Sequence, residues 1–278
     1  MRRTALPFAL TLLVAGSACG VGPLRADEPA AAVPATAEPS VRAHREVRAD
    51  TLRLSLRNPY PIPVTFTVEG VGARHRAVLT GGDSALVAAV PLAGRDSATV
   101  AALAEISAML GDHRARPDVS ARYAYPFPRG RSYRVMQAYN GSFSHDDDGS
   151  RYAIDFALPV GDTVSAARAG VVVRAIDHHT RGGNDPALRD YGNFVTLYHA
   201  DGMMSQYVHL APGGALVAWG DSVRAGEPVG ISGATGFTSR PHLHFNVVRP
   251  GPGAGVSVPV RFERADGRAL REGSEAAH

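Results

Sequence analysis

The chain has no lysine: all 29 basic residues among its 278 are arginine. That absence excludes Schiff-base lysine chemistry, a Walker-type phosphate loop and covalent attachment of lipoate or biotin, each of which needs a lysine amine. Cysteine is nearly missing too. Cys19 stands alone, so no internal disulfide staples the fold. Charge of one sign is scarce: 29 basic residues against 26 acidic ones leave a net +3. That excess is spread along the chain without the dense basic block of a nucleic-acid arm, so no nucleic-acid partner is expected. What the chain has in quantity is turn formers, Gly 30 and Pro 20, within a globular balance of 45% apolar and 20% charged residues. A length of 278 residues is comfortable for two domains with a sizeable core, and scarce helical stretches make both mostly β.

The start of the chain reads as an export signal. Met1-Arg2-Arg3 and the apolar run Ala5 to Ala15 have the charged start and short hydrophobic core of a secretory segment, assigned to residues 1–26. The run is shorter than the roughly 20 apolar residues that a spanning helix needs. The expected location is therefore the periplasm or cell envelope. Gly16-Ser17-Ala18 before Cys19 resembles a lipoprotein box, in which the thiol is acylated and tethers the protein to a membrane. Gly16 stands where such boxes usually carry Leu or another aliphatic residue, and plain cleavage after Ala18 or Ala26 is the other route. Residues 27–40, DEPAAAVPATAEPS, form a Pro/Ala-rich linker that can bury little.

Residues 41–116 read as a small β-sandwich-like domain. Leu52, Leu54 and Leu56 alternate with Arg53, Ser55 and Arg57, and Val64, Phe66 and Val68 alternate with Thr65, Thr67 and Glu69. Between them Asn58-Pro59-Tyr60-Pro61-Ile62-Pro63 excludes helix and central strand. Shorter strands are expected around Arg76 to Thr80 and Ala85 to Pro91, and Ala98 to Leu110 fits a strand or a short helix. His44, His75 and His113 are isolated here and read as structural. The stretch 120–265 is the second domain, an antiparallel sheet or sandwich with Gly or Asp-Gly at its corners, and 266–278 reads as a polar tail.

The second domain carries the candidate chemistry. In a strand, residues two apart share a face, so His242 and His244 of Pro241-His242-Leu243-His244-Phe245 project together. Two imidazoles on one strand face are a start for a divalent-metal site. Asp155 lies between Ile154 and Phe156, where a buried carboxylate is costly unless paired or bound to metal. His145 sits in a Gly/Asp-rich loop and His209 ends the segment Tyr207-Val208-His209-Leu210.

The ordered set of motifs is similar to the lysostaphin-type (LytM-like) zinc endopeptidases that cut cell-wall peptides. The matching pieces are YAIDF at 152–156, GDTVSAA at 161–167, GVV at 170–172, YGNFV at 191–195, YVHL at 207–210, GDSV at 220–223, GISGATG at 230–236 and PHLHF at 241–245. They span roughly residues 123–262 and leave the first domain uncovered. The resemblance implies one zinc ion, with Asp155 and His244 as two ligands and an upstream His as the third. It places His209 and His242 off the metal as catalytic residues, taking a proton from water and hydrogen-bonding the oxyanion. In the commonest form of the family the first ligand stands four positions before the Asp. Here that position is Arg151, which has no free lone pair. His145 is the nearby upstream histidine, and the turn-rich DDDGS at 146–150 can bulge to bring it beside Asp155, so His145 is the expected ligand. His178, His179 and His199 match no motif and are expected at the surface or in loops, and Asp146-Asp147-Asp148 reads as a solvated acidic turn.

The implied function is an exported zinc metalloendopeptidase acting on peptidoglycan peptides, as a monomer. The competing reading is a catalytically silent relative that binds or activates other wall hydrolases. A lipoyl-type carrier, suggested by the paired Gly-Asp turns, fails for want of an attachment lysine.

Overall fold

In this computed structural model the described residues are 41–70, 74–97, 100, 105–251, 255–263 and 270–278; the export segment with Cys19 and the linker lie outside them. The first region is built from β1 (Arg42–Arg48), β2 (Thr51–Arg57), β3 (Val64–Glu69), β4 (His75–Leu79), β5 (Ser84–Pro91) and β6 (Glu105–Leu110). Its strands pair as two three-stranded antiparallel sheets, β1-β2-β5 and β4-β3-β6. The alternation in β2 is realised directly: Leu52, Leu54 and Leu56 are buried, while Arg57 is exposed. These leucines meet Val64, Phe66 and Val68 of the other sheet in one apolar core.

The second region follows with β7 (Ser132–Gln137), β8 (Ile154–Phe156), β9 (Thr163–Ser165), β10 (Gly170–Ile176) and β11 (Gly182–Gly183). A short 3-10 helix, Pro186–Tyr191, precedes β12 (Phe194–Tyr198), β13 (Met204–Val208), β14 (Leu210–Ala215) and β15 (Ser222–Val223). The last strands are β16 (Pro228–Ser232), β17 (Gly236–Phe237), β18 (Leu243–Arg249), β19 (Val256–Ser257) and β20 (Glu275–Ala277). The large sheet runs β15-β10-β12-β13-β18-β8-β7-β20, with β19 added on β18; β14-β16-β9 form a smaller sheet and β11-β17 a parallel pair. The two Gly-Asp turns lead into different sheets, β9 in the small one and β15 in the large one, with Gly161 and Gly220 both at positive φ.

Two features depart from the sequence expectations. The end of the chain is not a polar tail. β20 pairs with β7, Ala276 and Leu270 are buried, and His278 donates through Nε2 to the Phe127 carbonyl at 2.8 Å. Ala276 joins the core cluster, whereas the charged Glu272 and Glu275 around it give the segment the look of a polar tail in the sequence. The core of the first region is also not self-contained, because Val173, Met204 and Val248 of the large sheet complete it.

Candidate functional site

The site is a row across three adjacent strands. Asp155 on β8 stands opposite His244 on β18 and opposite Gln137 on β7, and His244 in turn faces Val208 on β13. Directly opposed residues share a face, so register alone brings the Asp155 carboxylate and the His244 imidazole together. His244 Nδ1 lies 2.9 Å from Asp155 Oδ1. His145 enters from the loop after β7. Its Nδ1–H donates to the Ala138 carbonyl at 2.9 Å, which fixes the tautomer and turns Nε2 to Asp155 Oδ1 at 3.2 Å and to His244 Nδ1 at 3.3 Å. Such a carbonyl behind a metal-type histidine sets ring orientation and raises basicity.

The loop is shaped to deliver His145. The His145 N–H donates to the Gly141 carbonyl, closing a turn, and the Asp147 carboxylate accepts from the backbone N–H groups of Gly149 and Ser150. The acidic stretch is therefore a turn whose middle member is consumed by capping. Arg151 is directed away from the site, pairing with exposed Asp148 at 3.2 Å.

His209 and His242 lie beside this trio. His209 has φ 68, a left-handed backbone that a non-glycine residue adopts only when its surroundings hold it there, and it turns the ring off the end of β13. Its Nδ1–H donates to the Thr235 carbonyl at 2.7 Å. His242 places Nδ1 at 2.9 Å from the Arg240 carbonyl oxygen and 3.1 Å from the Thr238 hydroxyl. Both rings thus keep Nε2 for the site. Their centres are 4.5 Å apart, and His242 Nε2 is 3.7 Å from Asp155 Oδ1.

Electrostatics follow the burial. Burial pushes the Asp155 carboxyl up, but hydrogen bonds from His145 and His244 outweigh it and hold the group well below the usual carboxylate range. His145 runs the opposite way: burial lowers its pKa, and the Asp155 carboxylate raises it by more. Burial lowers His244 despite its bond to Asp155, and burial with His242 and His244 pushes His209 down to about 3. His209 is a neutral imidazole at ordinary pH.

His145, Asp155 and His244 offer ligand atoms that all lie within 4.8 Å of one another. Two imidazole nitrogens and a carboxylate oxygen are a zinc-type donor set, and zinc bonds of about 2.1 Å in a tetrahedral shell place ligand atoms about 3.4 Å apart. Observed separations of 2.9, 3.2 and 3.3 Å fit that shell with little adjustment.

The remaining histidines divide. His178 and His179 pack against each other near the surface in a tilted arrangement, with ring centres 4.2 Å apart. His199, expected at the surface or in a loop, does lie just past the end of β12 but is fully buried: Nδ1 bonds the Ala169 carbonyl and Nε2 faces the Ser205 hydroxyl at 3.0 Å. Its partners, Ala169 just before β10 and Ser205 on β13, form no local motif with it. Gln137, Thr235 and Thr238 were also missed. That Gln137 faces Asp155 is hidden by a register shift between Val135 and Gln137.

Residues 149–256 match the model of peptidase family M23. That segment holds Asp155, His209, His242 and His244, and it begins just past His145. An uncharacterized metalloprotease of Buchnera aphidicola is 29% identical over 131 residues, 46% of this chain and 32% of that protein. The peptidoglycan DD-endopeptidase ShyA of Vibrio cholerae is 33% identical over 109 residues, 38% of this chain and 23% of that protein. Lysostaphin of Staphylococcus simulans is 37% identical over 98 residues, 35% of this chain and 18% of its own length. The chain thus spans about a third or less of the length of these relatives.

Proposed function

Because residues 149–256 form a domain of peptidase family M23, we propose that this protein is an exported zinc metalloendopeptidase that hydrolyses cross-links or stem peptides of bacterial peptidoglycan. The observation that carries the reading is the meeting of His145, Asp155 and His244 within 4.8 Å, with His209 and His242 alongside. Relatives named as a peptidoglycan endopeptidase and as lysostaphin support the substrate class.

In this reading His145 Nε2, Asp155 Oδ1 and His244 Nδ1 hold one zinc ion. When bound, the ion supplies Lewis acidity to a peptide carbonyl and to water. The chain's own residues move the proton. His209 is neutral with Nδ1–H anchored on Thr235, so its Nε2 is a ready acceptor for a proton from the attacking water. His242 presents the same tautomer 4.5 Å away. Whichever ring takes the proton becomes an N–H donor, able to hydrogen-bond the oxyanion and return the proton to the departing amine. Export and a membrane tether at Cys19 belong to the same proposal; among the described residues no helix is long and apolar enough to cross a membrane.

The test is metal analysis of the purified protein together with digestion of isolated peptidoglycan, read by mass spectrometry of released peptides. Stoichiometric zinc and new peptide termini are expected. Absence of both would favour the silent, hydrolase-binding relative.

A further inference from the structure

We propose that Gln137 is the positioning residue of this centre, a strap that lets a histidine ten residues before Asp155 take the place usually filled from the position of Arg151. The inference rests on the reading that His145, Asp155 and His244 hold the ion.

The strap uses every polar atom of one amide. Gln137 Nε2 donates to Asp155 Oδ2 at 3.2 Å and to Ser144 Oγ at 2.9 Å, while Oε1 accepts from the Phe143 N–H at 3.2 Å. One side chain therefore grips the carboxylate and the two residues that lead into His145. The two Asp155 oxygens are divided by this arrangement: Oδ2 is occupied by Gln137, and Oδ1 is left facing both imidazoles. A carboxylate held at one oxygen cannot rotate the other away.

Strand geometry explains why Gln137 can do this. An irregularity in the β7–β8 ladder between Val135 and Gln137 resets the pairing so that Gln137 falls directly opposite Asp155. The loop then closes down on the amide. A Cβ built on Gly141 would collide with Gln137 Cγ and lie 2.6 Å from Cδ, so the glycine is what leaves room for the strap. The far end of the loop is tied separately, by Asn140 N–H to the Arg151 carbonyl at 2.8 Å and by Ser150 Oγ to the Ser144 carbonyl at 2.8 Å. Gln137 is buried at 7% exposure, so an apolar replacement costs no exposed contact, but it strands the Phe143 N–H and the Asp155 oxygen.

The experiment measures zinc dissociation constants by chelator competition for the wild type, Gln137→Met and Gly141→Ala, with apo-protein melting and KM on a peptide substrate in parallel. Gln137→Met should bind zinc about 10- to 100-fold more weakly with KM unchanged, the cost typical of losing a partner that orients a ligand. Gly141→Ala, which pushes the amide aside without changing its chemistry, should weaken zinc in the same direction. A purely structural role would lower melting and leave zinc affinity alone. If either variant lacks a cooperative unfolding transition, Ser144→Ala carries the test, with an expected loss of about threefold or more. Variants that hold zinc within about twofold of the wild type overturn the strap, whereas a wild type that binds no zinc overturns the metal reading itself.

Discussion

In the first region Asn58 is wholly buried and bonds to backbone: its amide donates to the carbonyls of Ile62, Leu79 and Thr80, and its oxygen accepts from the Tyr60 N–H. In the second region His145, Asp155 and Gln137 are as deeply placed, yet bond largely to one another and to His244. Both solutions remove the cost of burying polar groups. They leave different things behind. The asparagine has no capacity left over and serves as a brace for a proline-rich turn. The imidazoles retain lone pairs on one small volume, which is the condition for holding a cation. The histidines of the first region make the same contrast: among the described residues His44 and His75 have no partner of this kind, and His113 sits beside Thr65 and Asp112.

Substitutions should separate brace from site. The largest effect is expected for His145→Ala, which should release zinc and lower peptide hydrolysis by about 10³-fold or more, since the ion is asked for several kcal/mol of barrier lowering. Metal content and turnover on the same preparation check it, and tight zinc with full activity would refute the assignment. His209→Ala and His242→Ala come next. Each should keep its zinc while hydrolysis falls by about 10²- to 10⁴-fold, the range for loss of a general acid–base group. Loss of metal from both would show that the histidines are divided wrongly. Asn58→Ala should do the reverse of all three: stability falls by about 3–5 kcal/mol because carbonyls and an N–H are stranded, while zinc affinity in the folded fraction is unchanged.

What could be read from the sequence was what local pattern carries. Leu52, Leu54 and Leu56 announce a one-sided strand, and Asp155 between Ile154 and Phe156 announces a carboxylate that needs a partner. The His-x-His pair announces two rings on one face. The hidden features depend on pairing across the chain. Gln137 follows buried Val135 by two residues and shares its face, but a polar amide at a strand end does not announce a partner, and only the ladder irregularity puts it opposite Asp155. β20 is short and flanked by charge, and only its register against Ser132–Arg134 makes it a strand. Val173, Met204 and Val248 resemble ordinary core residues of their own sheet, with nothing local to say that they also complete the core of the first region.

His199 tests burial without the site. It is neutral in the fold, its pKa pushed down to about 4 by burial and, less, by nearby Arg168. Above its ordinary value of 6.5 both folded and unfolded forms are neutral, so its contribution is fully present. As pH falls from 6.5 towards about 4 the unfolded chain takes up a proton that the folded one refuses, and stability drops. Between pH 6.5 and 5.5 the loss should be about 1 kcal/mol, measured as the difference in denaturant unfolding between the zinc-free wild type and His199→Phe. Equal pH slopes for the two proteins would show that His199 titrates freely.

The smallest effect is expected at Arg151, and its smallness is informative. Arg151 occupies the position from which a ligand histidine would ordinarily reach the metal, so if the centre were a degenerate one, nothing upstream would hold the ion. Here the side chain pairs with Asp148 at 3.2 Å, both partners well exposed, and such a surface pair contributes about 0–1 kcal/mol. Its backbone does more, because the Arg151 carbonyl accepts from Asn140 and its N–H donates to Asp147, and neither bond depends on the side chain. Arg151→Ala should therefore hold zinc and hydrolyse peptides within about twofold of the wild type, and lose at most about 1 kcal/mol of stability. Arg151→His sharpens the comparison: a new imidazole there would compete with His145 only if the 146–150 turn could unfold, so His145→Ala/Arg151→His should recover little zinc. Full recovery in that double variant would mean that the short spacing is still available to this fold and that the longer loop is dispensable.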